Sequence, residues 1–105
     1  MNAYELLTKV KKNLIIEHTS DDTLLGDLIS AAIDYAEKYQ HLESGWYAEH
    51  DAGTTTEQAV IMLASHWYES RDGSTGGFFA DNVQAGGAAM TAINNLLRLD
   101  REWTV

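Results

Sequence analysis

Apolar residues recur every three or four positions along most of this chain, which is the spacing of one face of an α-helix. The clearest stripe lies between positions 23 and 42 and comprises Leu25, Leu28, Ile29, Ala32, Tyr35, Ala36 and Tyr39. The run Thr19-Ser20-Asp21-Asp22 precedes it and offers an N-cap and acidic residues for a first helical turn. The pattern therefore predicts a long helix that ends near His41 to Ser44, before Gly45.

A second long helix is predicted from Thr54 to about Arg71, since Thr54-Thr55-Thr56-Glu57 has the sequence of a capping box. Its apolar positions are numerous enough to make it the most buried helix: Val60, Ile61, Leu63, Ala64, Trp67 and Tyr68. The connection over 44–53 is short, which favours an antiparallel pair of long helices. Its two aromatic residues, Trp46 and Tyr47, are expected to fold back onto them.

Two shorter helices complete the prediction. One covers 3–12, with Leu6, Leu7 and Val10 on one side, and the other covers about 88–99, after the Gly86-Gly87 pair. The run Leu14-Ile15-Ile16 is either a brief extended stretch or an apolar bridge to the next helix, because a short apolar run does not distinguish the two. The predicted fold class is all-α, a small bundle of three to four helices with two long antiparallel helices and a shorter C-terminal helix, in one domain over 1–105.

Composition narrows the function classes. The 105 residues include no cysteine, which excludes disulfides and thiolate metal sites. Sixteen Asp and Glu against seven Lys and Arg give a net charge of −9, so a sequence-independent nucleic-acid binder or a protein of anionic membrane surfaces is disfavoured. The basic residues are unevenly placed, since residues 1–12 carry three lysines and one glutamate. The acidity serves either solubility or a specific function, and the sequence leaves both open.

The side chains that could act in catalysis or bind a metal do not form a recognised catalytic or metal-binding motif. His41, Glu43, Glu49, His50 and Asp51 cluster around the 44–53 loop, but none of the helical zinc-binding spacings is present. The glycine-rich run 73–77 lacks the lysine of a phosphate-binding loop. Neighbouring helical residues such as Ser65 and His66 point about 100° apart and cannot act as nucleophile and base together. We therefore expect no enzymatic activity, no catalytic or metal site and no cofactor.

The segment 58–71 ends in His66-Trp67-Tyr68-Glu69-Ser70-Arg71 and resembles the signature helix of the phage head–tail connector family. The phrase from Ala32 to Glu37 resembles the Ala-x-x-Tyr-Ala-Glu of the family's long helix, and positions 90–103 resemble its closing segment through Ala92, Leu96, Leu97 and Arg101. The resemblance covers nearly the whole chain and is most specific at 58–71. One departure is the absence of proline before the signature helix and the last helix.

The resemblance implies structural work in a phage or prophage particle. Members of the family are small adaptors that form a ring, usually twelve-fold, beneath the portal protein. The ring meets a tail-completion or tail-terminator protein and continues the DNA channel, through which DNA passes without specific binding and without any membrane contact. The expected location is the virion neck, after assembly in the host bacterial cytoplasm. The alternative that the residues leave open is a small acidic helical regulator acting as a dimer on a host protein.

Two groups of residues are candidates for this work. The subunit-interface candidates are aromatic or arginine side chains at the signature helix end, in the glycine-rich loop or in the tail: Trp67, Tyr68, Arg71, Phe78, Phe79 and Trp103. Trp67 is also a candidate for a residue that packs in the hydrophobic core. An acidic channel wall would repel phosphate, so the channel-facing candidates are Asp27, Asp34 and Glu37, on the predicted polar face of the first long helix, or the acids near 44–53.

Overall fold

The structure, a computed structural model, describes residues 1–70 and 83–103, with side chains over 1–70 and 87–100. These residues form five helices and no strand. They are α1 (Ala3–Leu14), α2 (Asp22–Tyr39), the single turn α3 (Trp46–Glu49), α4 (Thr54–Ser70) and α5 (Val83–Trp103). The all-α class and the small bundle are confirmed. None of the helices in the described part of the chain has the length and hydropathy required to cross a membrane.

The two central helices, α2 and α4, run antiparallel as predicted. Gln40, just after α2, donates a hydrogen bond to Thr56 at the start of α4, and Tyr68 near the end of α4 donates to Asp21 just before α2. Helices α1 and α5 each pack against both members of this pair. They lie on opposite sides of it, since α1 and α5 make almost no contact with each other.

The core lies where these four helices meet. Its most deeply buried large side chains come from each of them: Val10, Leu25, Ile29, Val60, Leu63, Ile93 and Leu97. Helix α4 contributes buried residues on more than one side because it is packed by α1, α2 and α5. The prediction that this helix is the most buried is therefore consistent with its central position.

The last helix is longer than predicted. It spans 21 residues and runs through Gly86 and Gly87, where the sequence pattern predicted a break. Glycine costs about 1 kcal/mol per helical position relative to alanine. Burial of Ile93 and Leu97, each 1% exposed, offsets that cost because their contacts with the rest of the core hold α5 in place.

The end of α1 decides between the two interpretations of the run 14–16. Leu14 ends the helix, Ile15 adopts a left-handed conformation with φ 57°, and Ile16 packs against the core. The amides of Ile15 and Ile16 donate to the carbonyls of Lys12 and Lys11, which is the Schellman arrangement of a helix C-terminus. The run is thus a turn whose last residue bridges to the core, and the extended alternative is wrong.

The start of α4 differs from the predicted capping box. Glu57 pairs with Lys9 of α1 instead of reaching back along its own helix. The acceptor for the helix N-terminus is Asp100 of α5, whose carboxylate receives hydrogen bonds from the Thr56 amide at 3.1 Å, the Thr55 hydroxyl at 2.9 Å and the Thr56 hydroxyl. The first turn of α4 is therefore capped from another helix.

Candidate interaction surfaces

The end of α4 carries the aromatic residues of the signature segment. Trp67 is half-buried and meets Tyr35 of α2 edge to face, with ring centroids 6.3 Å apart and an interplanar angle of 89°. Tyr35 in turn stacks on Tyr39 at 6.2 Å and donates its hydroxyl to Asn94 of α5 at 2.8 Å. Trp67 therefore packs partly against the core, and the rest of its side chain is exposed.

These three aromatic rings border an open groove on α2. We call it the aromatic groove, and its lining residues are Ala31, Asp34, Tyr35, Lys38, Tyr39 and Trp67. Asp34 and Lys38 lie one helical turn apart on α2 and form an ion pair at 2.9 Å. Lys38 donates a hydrogen bond to Asp34, and this bond raises the pKa of Lys38 above its ordinary value. The groove thus has an aromatic floor and a charged rim.

The other interface candidates have different surroundings. Tyr68 is half-buried and its hydroxyl donates to Asp21, so it fastens the end of α4 to the start of α2. Arg71, Phe78 and Phe79 lie outside the described residues. Trp103 ends α5, and its side chain lies outside the described part of the chain.

One of the three acidic channel candidates does not lie on a solvent-exposed face. Asp27 is exposed and the Asp34 side chain is 43% exposed, but Glu37 is 2% exposed. Its two carboxylate oxygens accept hydrogen bonds from the amides of Gly45 at 3.0 Å and Tyr47 at 2.9 Å. Placing Glu37 on the polar face was wrong, because a helical wheel does not show that the chain after α2 folds back over this position.

A buried polar network, which the sequence pattern did not indicate, joins α2, α3, α4 and α5. Gln40 is 2% exposed and donates to the Thr56 hydroxyl at 2.9 Å and to the Leu97 carbonyl at 3.0 Å. It also accepts a hydrogen bond from the hydroxyl of Tyr47, which is 6% exposed. Burial raises the pKa of Tyr47 above its ordinary value. Buried polar groups that are all paired favour a single packing arrangement, so this network sets the relative positions of the four helices.

Two exposed apolar side chains mark the two ends of α1. Among the described residues, three large apolar side chains are exposed; Tyr4, at 79%, lies in the first turn of α1, and Ile15, at 86%, directly follows its last residue. The lysines of this helix are partly used within the subunit, since Lys9 pairs with Glu57 and Lys11 with Asp22. The hydrogen bond with Glu57 raises the pKa of Lys9.

The histidine-containing loop shows no metal-binding geometry in the part of the chain that the structure describes. The His50 ring stacks on Trp46 with centroids 3.8 Å apart, and its Nδ1 donates to the Trp46 carbonyl at 3.0 Å. No group of three or more His, Cys, Asp or Glu side chains there is arranged to hold a metal ion.

Comparison with known proteins identifies one family. The family model described as phage gp6-like head-tail connector protein matches residues 4–96, which extend from α1 into α5. No match was found among curated proteins or among solved structures.

Proposed function

The chain belongs to the family of phage gp6-like head–tail connector proteins, and from this premise we propose that it is a ring-forming subunit that docks between the portal and the tail and continues the DNA channel. The family itself has a structural role in the phage particle, which implies contacts with other head or tail proteins. The observation that carries the proposal is the match over 4–96, because it reaches all four helices that build the core.

The exposed apolar residues of the subunit support a function in binding other proteins. Exposed apolar residues at Tyr4 and Ile15 and the aromatic groove beside Trp67 are features that contacts between proteins use. They are spread over more than one side of the bundle, which suits a subunit with several neighbours.

The negative net charge supports a passive channel, that is, one through which DNA passes without being bound. A basic wall would bind duplex DNA through release of counterions, whereas an acidic wall repels phosphate over about 10 Å at moderate salt. Asp27 and Asp34, which are accessible on α2, and the exposed acids near the 44–53 loop remain the candidates for the lumen or its rim. A ring multiplies the net charge of −9 by the copy number.

The proposal is tested by light scattering and negative-stain microscopy of the purified protein, alone and with a portal protein, over a range of concentrations. Closed rings, alone or on the portal, are expected. A dimer at every concentration with no binding to the portal would refute the proposal and favour the regulator. In a gel-shift assay at moderate salt we expect no retention of duplex DNA, and tight salt-sensitive retention would refute the passive channel.

A further inference from the structure

Ile15 occupies a position where an isoleucine is doubly unfavourable. It is the left-handed residue after α1, where glycine is the usual choice because a Cβ, and above all a branched one, is strained at positive φ. It is also 86% exposed, so its apolar side chain gains nothing from the core of its own subunit. A residue that violates two local rules without an internal compensation points to a contact outside the subunit.

Ile15 does not stand alone on this side of the molecule. Tyr4, which is 79% exposed, begins a row of residues spaced four apart along one side of α1, and Ile15 directly follows the last residue of that helix. Thr8 and Lys12, both exposed, lie between them. We call this set of four residues the α1 face: an apolar side chain at each end and a positive charge near one of them.

The aromatic groove lies on the other side of the subunit. Its Tyr35 is bonded to Asn94 of α5, and α5 packs on the side of the α2–α4 pair opposite to α1. The chain therefore has projecting apolar side chains on one side and an apolar recess on the other. Such a pair of unlike, complementary surfaces on one molecule produces head-to-tail contacts, which close into a ring when the rotation permits.

Charge also favours pairing of these two surfaces. Two copies of a molecule with a net charge of −9 repel each other unless they meet where the charges are balanced or opposite. Lys9 and Lys11 of α1 are paired within the subunit, with Glu57 and Asp22 respectively. On α2, Asp34 is paired with Lys38, and Glu37 is buried. Lys12 is exposed on the α1 face, and Asp34 stands on the rim of the aromatic groove with Asp27 exposed on the same helix.

We propose that the α1 face of one copy of this chain binds the aromatic groove of the next copy, with Ile15 and Tyr4 against the rings of Tyr35, Tyr39 and Trp67. This inference rests on the proposed function, because it specifies the joint of the ring. It commits the groove to a second copy of the chain and assigns Trp67 a part in both the core and the interface.

The test uses two variants that each damage one surface. Y4S/I15G removes the apolar ends of the α1 face, and Ala31→Arg fills the aromatic groove with a long cationic side chain at an exposed position. Their matched controls are Leu99→Ser, another exposed apolar residue, and Ser30→Arg, an exposed neighbour on α2 outside the groove lining. Oligomers are measured by native mass spectrometry at a concentration at which the natural chain forms rings.

Neither damaged variant is expected to form rings, whereas both controls are expected to form them. A mixture of the two damaged variants should yield a 1:1 heterodimer and nothing larger, because each supplies the one intact surface that the other lacks. Ile15→Gly by itself should raise the melting temperature of the subunit while weakening assembly at least tenfold, a combination that loss of folding cannot produce.

The inference would be overturned if the natural chain forms rings and the damaged variants also do, or if their mixture gives no heterodimer. Protection of the groove in the isolated monomer by the chain's own segment 71–82, seen by crosslinking, would also overturn it. Absence of rings from the natural chain, alone and with portal, is a different result, because it refutes the proposed function itself.

Discussion

We expect that a glycine is required at position 53 because a larger side chain would collide with Asp100, and not because the backbone there needs a conformation that favours glycine. Gly53 precedes α4 and does not have a positive φ, so alanine is compatible with its backbone. The Cβ of an alanine at this position would lie 2.7 Å from Oδ2 of Asp100, which is too close for two atoms that are not bonded. Gly53→Ala should therefore push away the carboxylate that caps α4, and its effect should depend on Asp100.

The expected loss of unfolding free energy can be estimated from the hydrogen bonds that Asp100 accepts. Asp100→Ala removes the acceptor of the Thr56 amide and leaves the hydroxyl of Thr56, which is 0% exposed, without an acceptor for its proton. Loss of the cap and of that buried hydrogen bond should lower the free energy of unfolding by about 2–4 kcal/mol. Gly53→Ala should cost about 1–3 kcal/mol, since the carboxylate retains part of its contacts after moving.

The discriminating experiment is a double-mutant cycle in urea or heat, with unfolding followed by circular dichroism. In the Asp100→Ala background the clash is absent, so Gly53→Ala should be neutral or stabilise by up to about 1 kcal/mol through the unfolded chain. Gly26→Ala is the matched control: its Cβ meets nothing within 4 Å, and it should stabilise α2 by about 0.5–1 kcal/mol in both backgrounds. Equal destabilisation by Gly53→Ala with and without Asp100 would refute the reasoning.

Three further predictions concern single residues. Glu37→Ala should destabilise the subunit by about 2–5 kcal/mol, measured by chemical denaturation, because the amides of Gly45 and Tyr47 lose their acceptor in a buried site; a change below about 0.5 kcal/mol would contradict the burial of Glu37. The pKa of Tyr47 is raised in the folded state, so the folded protein retains this proton longer than the unfolded chain, and stability should be full below pH 10 and fall as the pH rises through the folded pKa. Tyr47→Phe should therefore flatten the decline in unfolding free energy above pH 10, and an unchanged slope would show that Tyr47 does not titrate with unfolding. Ile15→Gly should stabilise the subunit by about 1 kcal/mol, visible as a rise in melting temperature, because glycine relieves the left-handed strain; a fall would mean that Ile15 packs within its own subunit.

The sequence by itself determined the helical class and the faces of α1, α2 and α4. Their apolar residues recur at helical spacing, and this local repeat produces the same buried stripe in any packing. The sequence also identified the family, because the resemblance of the segment 58–71 depends only on the order of its residues. The ion pair between Asp34 and Lys38 was predictable for the same reason, because both residues lie on one helix.

Only the tertiary structure decided which polar residues are buried and which apolar residues are exposed. Glu37 has the helical position of a surface residue, and it is buried because the chain returns over it with two amides. Asp100 caps a helix 44 residues earlier in the chain, and no local pattern contains a partner at that distance. Ile15 is apolar and would be expected in the core, yet the Schellman turn directs Ile16 inward and leaves Ile15 in solvent. A pattern along the chain records periodicity, whereas these outcomes depend on which helices meet and at what register.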